Sequence, residues 1–310
     1  MHQFKKGLLK PNLALLCVLS LSCAAVGLLS LLGSPSSLPV VAAFIVPGGR
    51  ELVVTSSHPL VRFFSEPQVA AVTPNSCKIN PKVYITNLRS NSVSVIDVST
   101  DRVIANIPVG SNPFAIAITP DCSKAYVGNF GTFSIPENTV SVIDVKTDTV
   151  IATITVGVNP GAIAITPDSS KVYVANSGIS SFDNTVSVID VKTDTVIATI
   201  TVGVNPGAIA ITRNGSKAYV TNSTSSTVSV IDTSTDKVIT TINVGFEPAG
   251  IAITPNGSKA YVANNFSDTV SVIDISKNEV TSTIPVGTEP LIVAITPDGS
   301  EVYVSNLSSD

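Results

Sequence analysis

Acid–base or metal chemistry in this chain would have to come from a small set of residues. Its 310 residues include two histidines, His2 and His58. A Ser-His-Asp triad, a His-ligated metal and a haem axial ligand each need an imidazole in the folded body, and none follows residue 58. No Cys-x-x-Cys-His haem motif occurs either. The patterned candidates are six residues that each precede a recurrent proline: Glu66, Asn112, Asn159, Asn205, Glu247 and Glu289. Carboxylate and amide oxygens suit a hard cation such as Ca2+, or a polar or cationic ligand. Proline biases its predecessor towards extended backbone. The six should therefore project alike around one rim, acidic at Glu66, Glu247 and Glu289 and amide-lined elsewhere. A solvated rim of loop residues is the plainer reading of the same pattern. We assign no catalytic residue and no cofactor beyond that Ca2+. A hydrolase would have to work with the three glutamates and Arg213.

The elements that must position these residues are repeats. Tyrosines at 84, 126, 173, 219, 261 and 303 each begin a Tyr-x-x-Asn segment, spaced by 42, 47, 46, 42 and 42 residues. Val-Ser-Val-Ile-Asp ends at Asp97, Asp144, Asp190, Asp232 and Asp274. A segment running from Pro to Thr-Pro recurs from 113, 160, 248 and 290, from 206 with Arg213 in the place of its last proline, and more weakly from 67. Each unit holds four short runs of Val, Ile, Thr and Tyr separated by Asn, Asp and Gly turns. Four antiparallel strands per repeat of about 42 residues make a blade of a β-propeller. No segment carries a 3.6-residue period, so a helical solenoid is excluded.

The repeats resemble the YVTN-type β-propeller repeat, whose tetrapeptide stands here as Tyr219-Val220-Thr221-Asn222. The resemblance covers 67–310. It implies a propeller in an extracytoplasmic setting, often a cell-surface or surface-layer one, and no single activity.

Six units carry the first two strands but five carry the last two. We expect 51–55 and 60–64 within 51–64 to supply the missing pair and close a six-bladed ring. A truncated seven-bladed protein is the alternative. The loops between the second and third strands share one face with the links to the next blade. On that face the units at 130–139 and 177–185 are longer than the others. Their Phe130, Phe133, Ile135, Ile179 and Phe182 suggest a contact surface for a protein or a cell-envelope polymer. Packing of the two loops on each other is the alternative. Cys77 and Cys122 fall in first-to-second-strand turns of adjacent units on the other face, which makes them a candidate disulfide in an exported protein.

Lys5, Lys6 and Lys10 precede an uncharged apolar stretch at 13–32. Twenty helical residues rise about 30 Å, the thickness of a bilayer core. Residues 1–43 thus read as a signal peptide, cut after Ala43, or as an uncleaved anchor helix, the chain's one expected membrane contact; a lipid anchor on Cys23 is the remaining option, though Ser20-Leu21-Ser22 before it fits the usual lipobox order poorly. The propeller at 51–310 would then be periplasmic, cell-surface or secreted. A sequence pI of 5.2 argues against nucleic acid as a partner. The composition favours a binding or structural scaffold over an enzyme; a lactonase-like hydrolase and an accessory subunit of a redox complex are the alternatives.

Overall fold

The computed structural model describes residues 41–45, 51–55, 70–73, 80–132, 134–178 and 184–308. Within them the repeats fold as antiparallel sheets in simple sequence order. In the first unit Ala70–Val72, Lys82–Asn87, Ser92–Asp97 and Arg102–Pro108 pair successively. Four further four-stranded sheets follow, with inner strands Pro113–Ile118, Pro160–Ile165, Pro206–Ile211 and Pro248–Ile253. The sixth unit contributes two strands, Pro290–Ile295 and Val302–Asn306.

Local sequence explains each strand. From the second sheet to the fifth, Val-Ser-Val-Ile is buried on both faces, which suits β-branched side chains between stacked sheets. The closing Asp then caps the next turn. Asp144 Oδ1 accepts from the amides of Lys146 and Thr147 at 2.9 and 2.8 Å, the local bonding that favours Asp in turns. The turn after each inner strand is held by its threonine, as where Lys171 N donates to Thr166 Oγ1 at 3.0 Å.

Every outer strand carries a bulge. Ile104, Ile151, Ile197, Ile239 and Thr281 are each the extra residue against the third strand. A bulge at this place twists the edge away from pairing with another chain.

One hydrophobic cluster fills the space between each sheet and the next. Tyr84, Val93 and Val95 of the first sheet pack on Ile116, Val127 and Ile143 of the second. The same pattern repeats down the series to Tyr261, Val270 and Val272 of the fifth sheet against Val293 of the sixth unit. Face-to-face stacking with neighbouring inner strands is a propeller-like arrangement.

One expectation falls differently. Glu51–Thr55 pairs antiparallel with Val41–Ile45 as a separate hairpin, not with the sixth unit. The reason is proximity: two β-prone runs separated by Val46-Pro47-Gly48-Gly49-Arg50 can close on each other directly. Residues 60–64, the other expected closing strand, and the apolar stretch at 13–32 lie outside the described residues. Among the described residues no helix is long and apolar enough to cross a membrane.

Candidate functional site: the loop face

The second-to-third-strand loops and the links to the next unit do share one face. Asn112 N donates to Asn91 Oδ1 at 2.9 Å, and Glu289 N to Asp268 Oδ1 at 2.8 Å. Each of these bonds ties a link to the loop of the preceding sheet.

The residues before the prolines are not extended. Asn112, Asn159, Asn205, Glu247 and Glu289 have φ of 46, 54, 57, 48 and 55°, the left-handed region. The cause is a repeated bond. Each turns its carbonyl to accept from the amide after the Tyr-x-x-Asn segment of its own sheet, as Phe130 N does to Asn112 O at 3.1 Å and Asn265 N to Glu247 O at 2.9 Å. Asn tolerates this backbone better than most residues, and Glu does so poorly.

Nor do their side chains act alike. Asn159 is buried and donates through Nδ2 to Phe130 O at 2.6 Å. Asn112 Nδ2 donates to Gly131 O at 2.9 Å. Both amides therefore fasten the long loop of the second unit. Glu289 Oε2 accepts from Ser308 Oγ at 2.6 Å. Burial pushes the Glu247 carboxyl above its ordinary pKa. Among the described residues no three His, Cys, Asp or Glu come together as a metal site. Glu66 lies outside them.

The long loop of the second unit is an extended hairpin. Lys124–Gly131 pairs with Pro136–Asp144. Phe130, expected to be exposed for a partner, is 7% exposed and stacks obliquely on Phe114 with ring centroids 5.7 Å apart. Leu88, Ala115 and Ile163 complete that cluster. The hairpin continues past Asn129, and this carries Phe130 over the inner strands instead of into solvent. Ile135, near the tip, is 72% exposed. Phe133, Ile179 and Phe182 lie outside the described residues.

On the opposite face Cys122 is disulfide-bonded. Cys77 and the other two cysteines lie outside the described residues. Arg213 Nη1 reaches Pro255 O at 3.5 Å, a contact between turns, and pairs with no acid among the described residues.

A polar clamp between sheets was not anticipated from the sequence. Lys124 Nζ and Tyr126 OH of the second sheet both donate to Asp194, in the third-to-outer turn of the third sheet, at 2.7 Å each. Lys124 Nζ also reaches Val191 O at 2.7 Å. Lys82 and Tyr84 grip Asp148 in the same way, and Lys171 and Tyr173 grip Asp236. At the next interface Asn278 takes the place of Asp, receiving Tyr219 OH at 2.7 Å and Lys217 Nζ at 3.3 Å. Burial first, then the bonded Asp, pushes the phenols of Tyr84, Tyr126 and Tyr173 far above their ordinary pKa. The available signal was the Lys-x-Tyr spacing in five units.

These stacked, clamped sheets define the class: an all-β, propeller-like repeat protein. The chain belongs to the Choice-of-anchor I domain family, whose profile matches residues 138–292, half of its length. That membership points to a cell-surface-associated β-propeller with an extracellular setting. No curated protein matches it in sequence. Among solved structures it is similar to Kuenenia stuttgartiensis hydrazine synthase, with TM-score 0.53, 20% identity, and coverage of 74% of this chain and 93% of that one. It is also similar to a functionally unknown protein from Desulfotomaculum acetoxidans DSM 771, with TM-score 0.63, 22% identity and 72% of each chain covered. At these identities the likeness is one of fold alone.

Proposed function

We propose that the protein is an exported, non-catalytic scaffold of YVTN-type repeats that binds a protein or a cell-envelope polymer through its loop face. The observation that carries this reading is the extended hairpin of the second unit. It rises on that face, is anchored at its base by Phe130 and two amides, and presents Ile135 to solvent. A rigid base under an exposed apolar tip is what a binding loop needs.

The ionisable groups support it from the other side. The shifted aspartates that end the third strands recur in the first five sheets in the same turn bonds, and the clamp tyrosines make the same bond in the first four. A catalytic pair would instead depart from the repeat.

The test is co-sedimentation of the purified protein with cell-envelope fragments of its own host. Ile135→Asp should weaken retention about tenfold while leaving the melting temperature within a degree. Equal retention of both proteins would contradict the reading.

A further inference from the structure

The fifth sheet departs from the repeat at two places that the fold brings together. Phe246 stands in the link before its inner strand, where the other described units carry Ser111, Val158, Val204 and Thr288. Phe266 stands in its second-to-third-strand loop, where the loops of equal length carry Arg89 and Thr224. Phe266 N donates to Phe246 O at 3.3 Å, and Phe246 N to Ser267 Oγ at 2.7 Å. The two residues thus sit side by side on the loop face. They are 69% and 59% exposed.

The exposure belongs to the backbone positions. Asn265, directly after the Tyr-x-x-Asn segment, is buried, as Phe130 is at the same place. The next residue falls on the solvent side. Arg89 and Thr224 are exposed there although a complete four-stranded sheet follows each. Bonds hold the loop on both flanks. Asn265 N donates to Glu247 O at 2.9 Å, and Val286 N to Asp268 O at 3.0 Å. Single exposed apolar residues are ordinary, but a fixed pair of phenylalanines that no other described unit repeats marks a contact.

Charge says what kind of contact. Three segments meet here, 244–247, 265–268 and 286–289. They contain Glu247, Asp268 and Glu289 and no lysine or arginine. Asp268 Oδ1 accepts from Glu289 N at 2.8 Å. Among the described residues no donor reaches the Glu247 carboxylate, and burial disfavours its charge. Glu247 and Glu289 also hold the left-handed backbone that Asn112, Asn159 and Asn205 occupy at lower cost. A glutamate kept at a strained and partly desolvated place calls for a counter-charge. A guanidinium supplies it and uses the rings as well. Its plane stacks on an aromatic face while its N–H groups donate to a carboxylate.

We propose that Phe246, Phe266 and Glu247 form a site for an arginine side chain of a partner protein, with Asp268 and Glu289 attracting further basic residues beside it. This rests on the loop face being the binding face, and it makes the partner there a protein with a basic segment.

The test is isothermal titration of the full chain with a blocked peptide of alternating Gly and Arg, and with its lysine counterpart. Salt of about 150 mM screens the distant charges. The arginine peptide should bind saturably and about threefold more tightly than the lysine peptide. Phe246→Ser with Phe266→Thr, which restores residues that other units carry, should weaken binding about tenfold and leave the melting temperature unchanged. Glu247→Gln should weaken it by a similar factor, and carries the same test should the double variant not fold. No saturable binding, equal binding of the two peptides, or an affinity that the variants leave unaltered would each overturn the proposal. The titration contains no envelope material, so its failure leaves the loop-face reading standing. Failure of that reading shows instead in the retention of Ile135→Asp.

Discussion

The phenolic hydroxyl of Tyr126 donates to the carboxylate of Asp194 at 2.7 Å, across the boundary between two sheets. Lys124 completes the contact as an ion pair of 2.7 Å whose side chains are largely buried. Successive sheets are thus joined by a directional polar bond as well as by the cluster of Tyr126, Val142, Val172 and Ile189.

Removing the acceptor strands two donors. Asp194→Ala should destabilise the protein by about 2 kcal/mol, because it leaves a buried hydroxyl without its acceptor and a partly buried ammonium without a counter-charge, bonded only to Val191 O. Asp194→Asn should lose less than half of that, since Asn278 already serves the same donors one interface along. Urea unfolding of the two variants checks the ranking.

Alkaline titration should report the clamps. The phenols of Tyr84, Tyr126 and Tyr173 are raised in the folded protein, and that of Tyr219 is pushed up to about 12. A phenol with a raised pKa keeps its proton longer when folded, so stability should hold up to pH 10 and fall as pH climbs beyond it. Melting curves at pH 8, 10 and 11 measure this. A flat profile to pH 11 would disagree.

Acid acts through different groups. Asp97, Asp144, Asp190, Asp232 and Asp274 are held below their ordinary pKa by hydrogen bonds from the turns they cap. A lowered pKa contributes stability that is present above the unfolded value and lost as pH falls through the folded one. The melting temperature should therefore drop between pH 4 and pH 2. Asp144→Asn should flatten part of that slope.

The strands, turns and stacking order were legible in the sequence because each depends on local pattern: alternation for Val186-Ser187-Val188, turn chemistry for Asp190. The clamp was not, because Lys124 and Asp194 are joined only once one sheet lies on the next. The backbone at Asn112 and Glu247 was misjudged for a similar reason. Proline 113 argues locally for an extended predecessor, but the bond from Phe130 N to Asn112 O overrides it. Phe130 looked like a contact residue because its loop is long. Its burial follows from strand extension through Gly131, which the loop's length does not reveal.

That override leaves strain at two acids. Glu247→Asn and Glu289→Asn should each stabilise the protein by about 0.5–1 kcal/mol, because Asn accepts the left-handed region at lower cost. At position 247 the change also removes a carboxylate that burial disfavours. Thermal melts at pH 7 test both.

The Tyr-x-x-Asn asparagine sets a steric limit. A Cβ on Gly203 would lie 2.6 Å from the Asn222 side chain, which is fully buried. Gly203→Ala should destabilise by about 2 kcal/mol through overpacking. Gly257→Ala meets nothing within 4 Å, so its loss should come only from its φ of 70°.

Which face binds is the central question, and a hydrogen-exchange footprint of the envelope-bound protein answers it most directly. Protection on binding should be confined to the loop face, strongest in 130–139 around Ile135. Protection at the opposite turns around Asp168 and Asn214, or along the bulged outer strands at Ile104 and Ile151, would contradict the account.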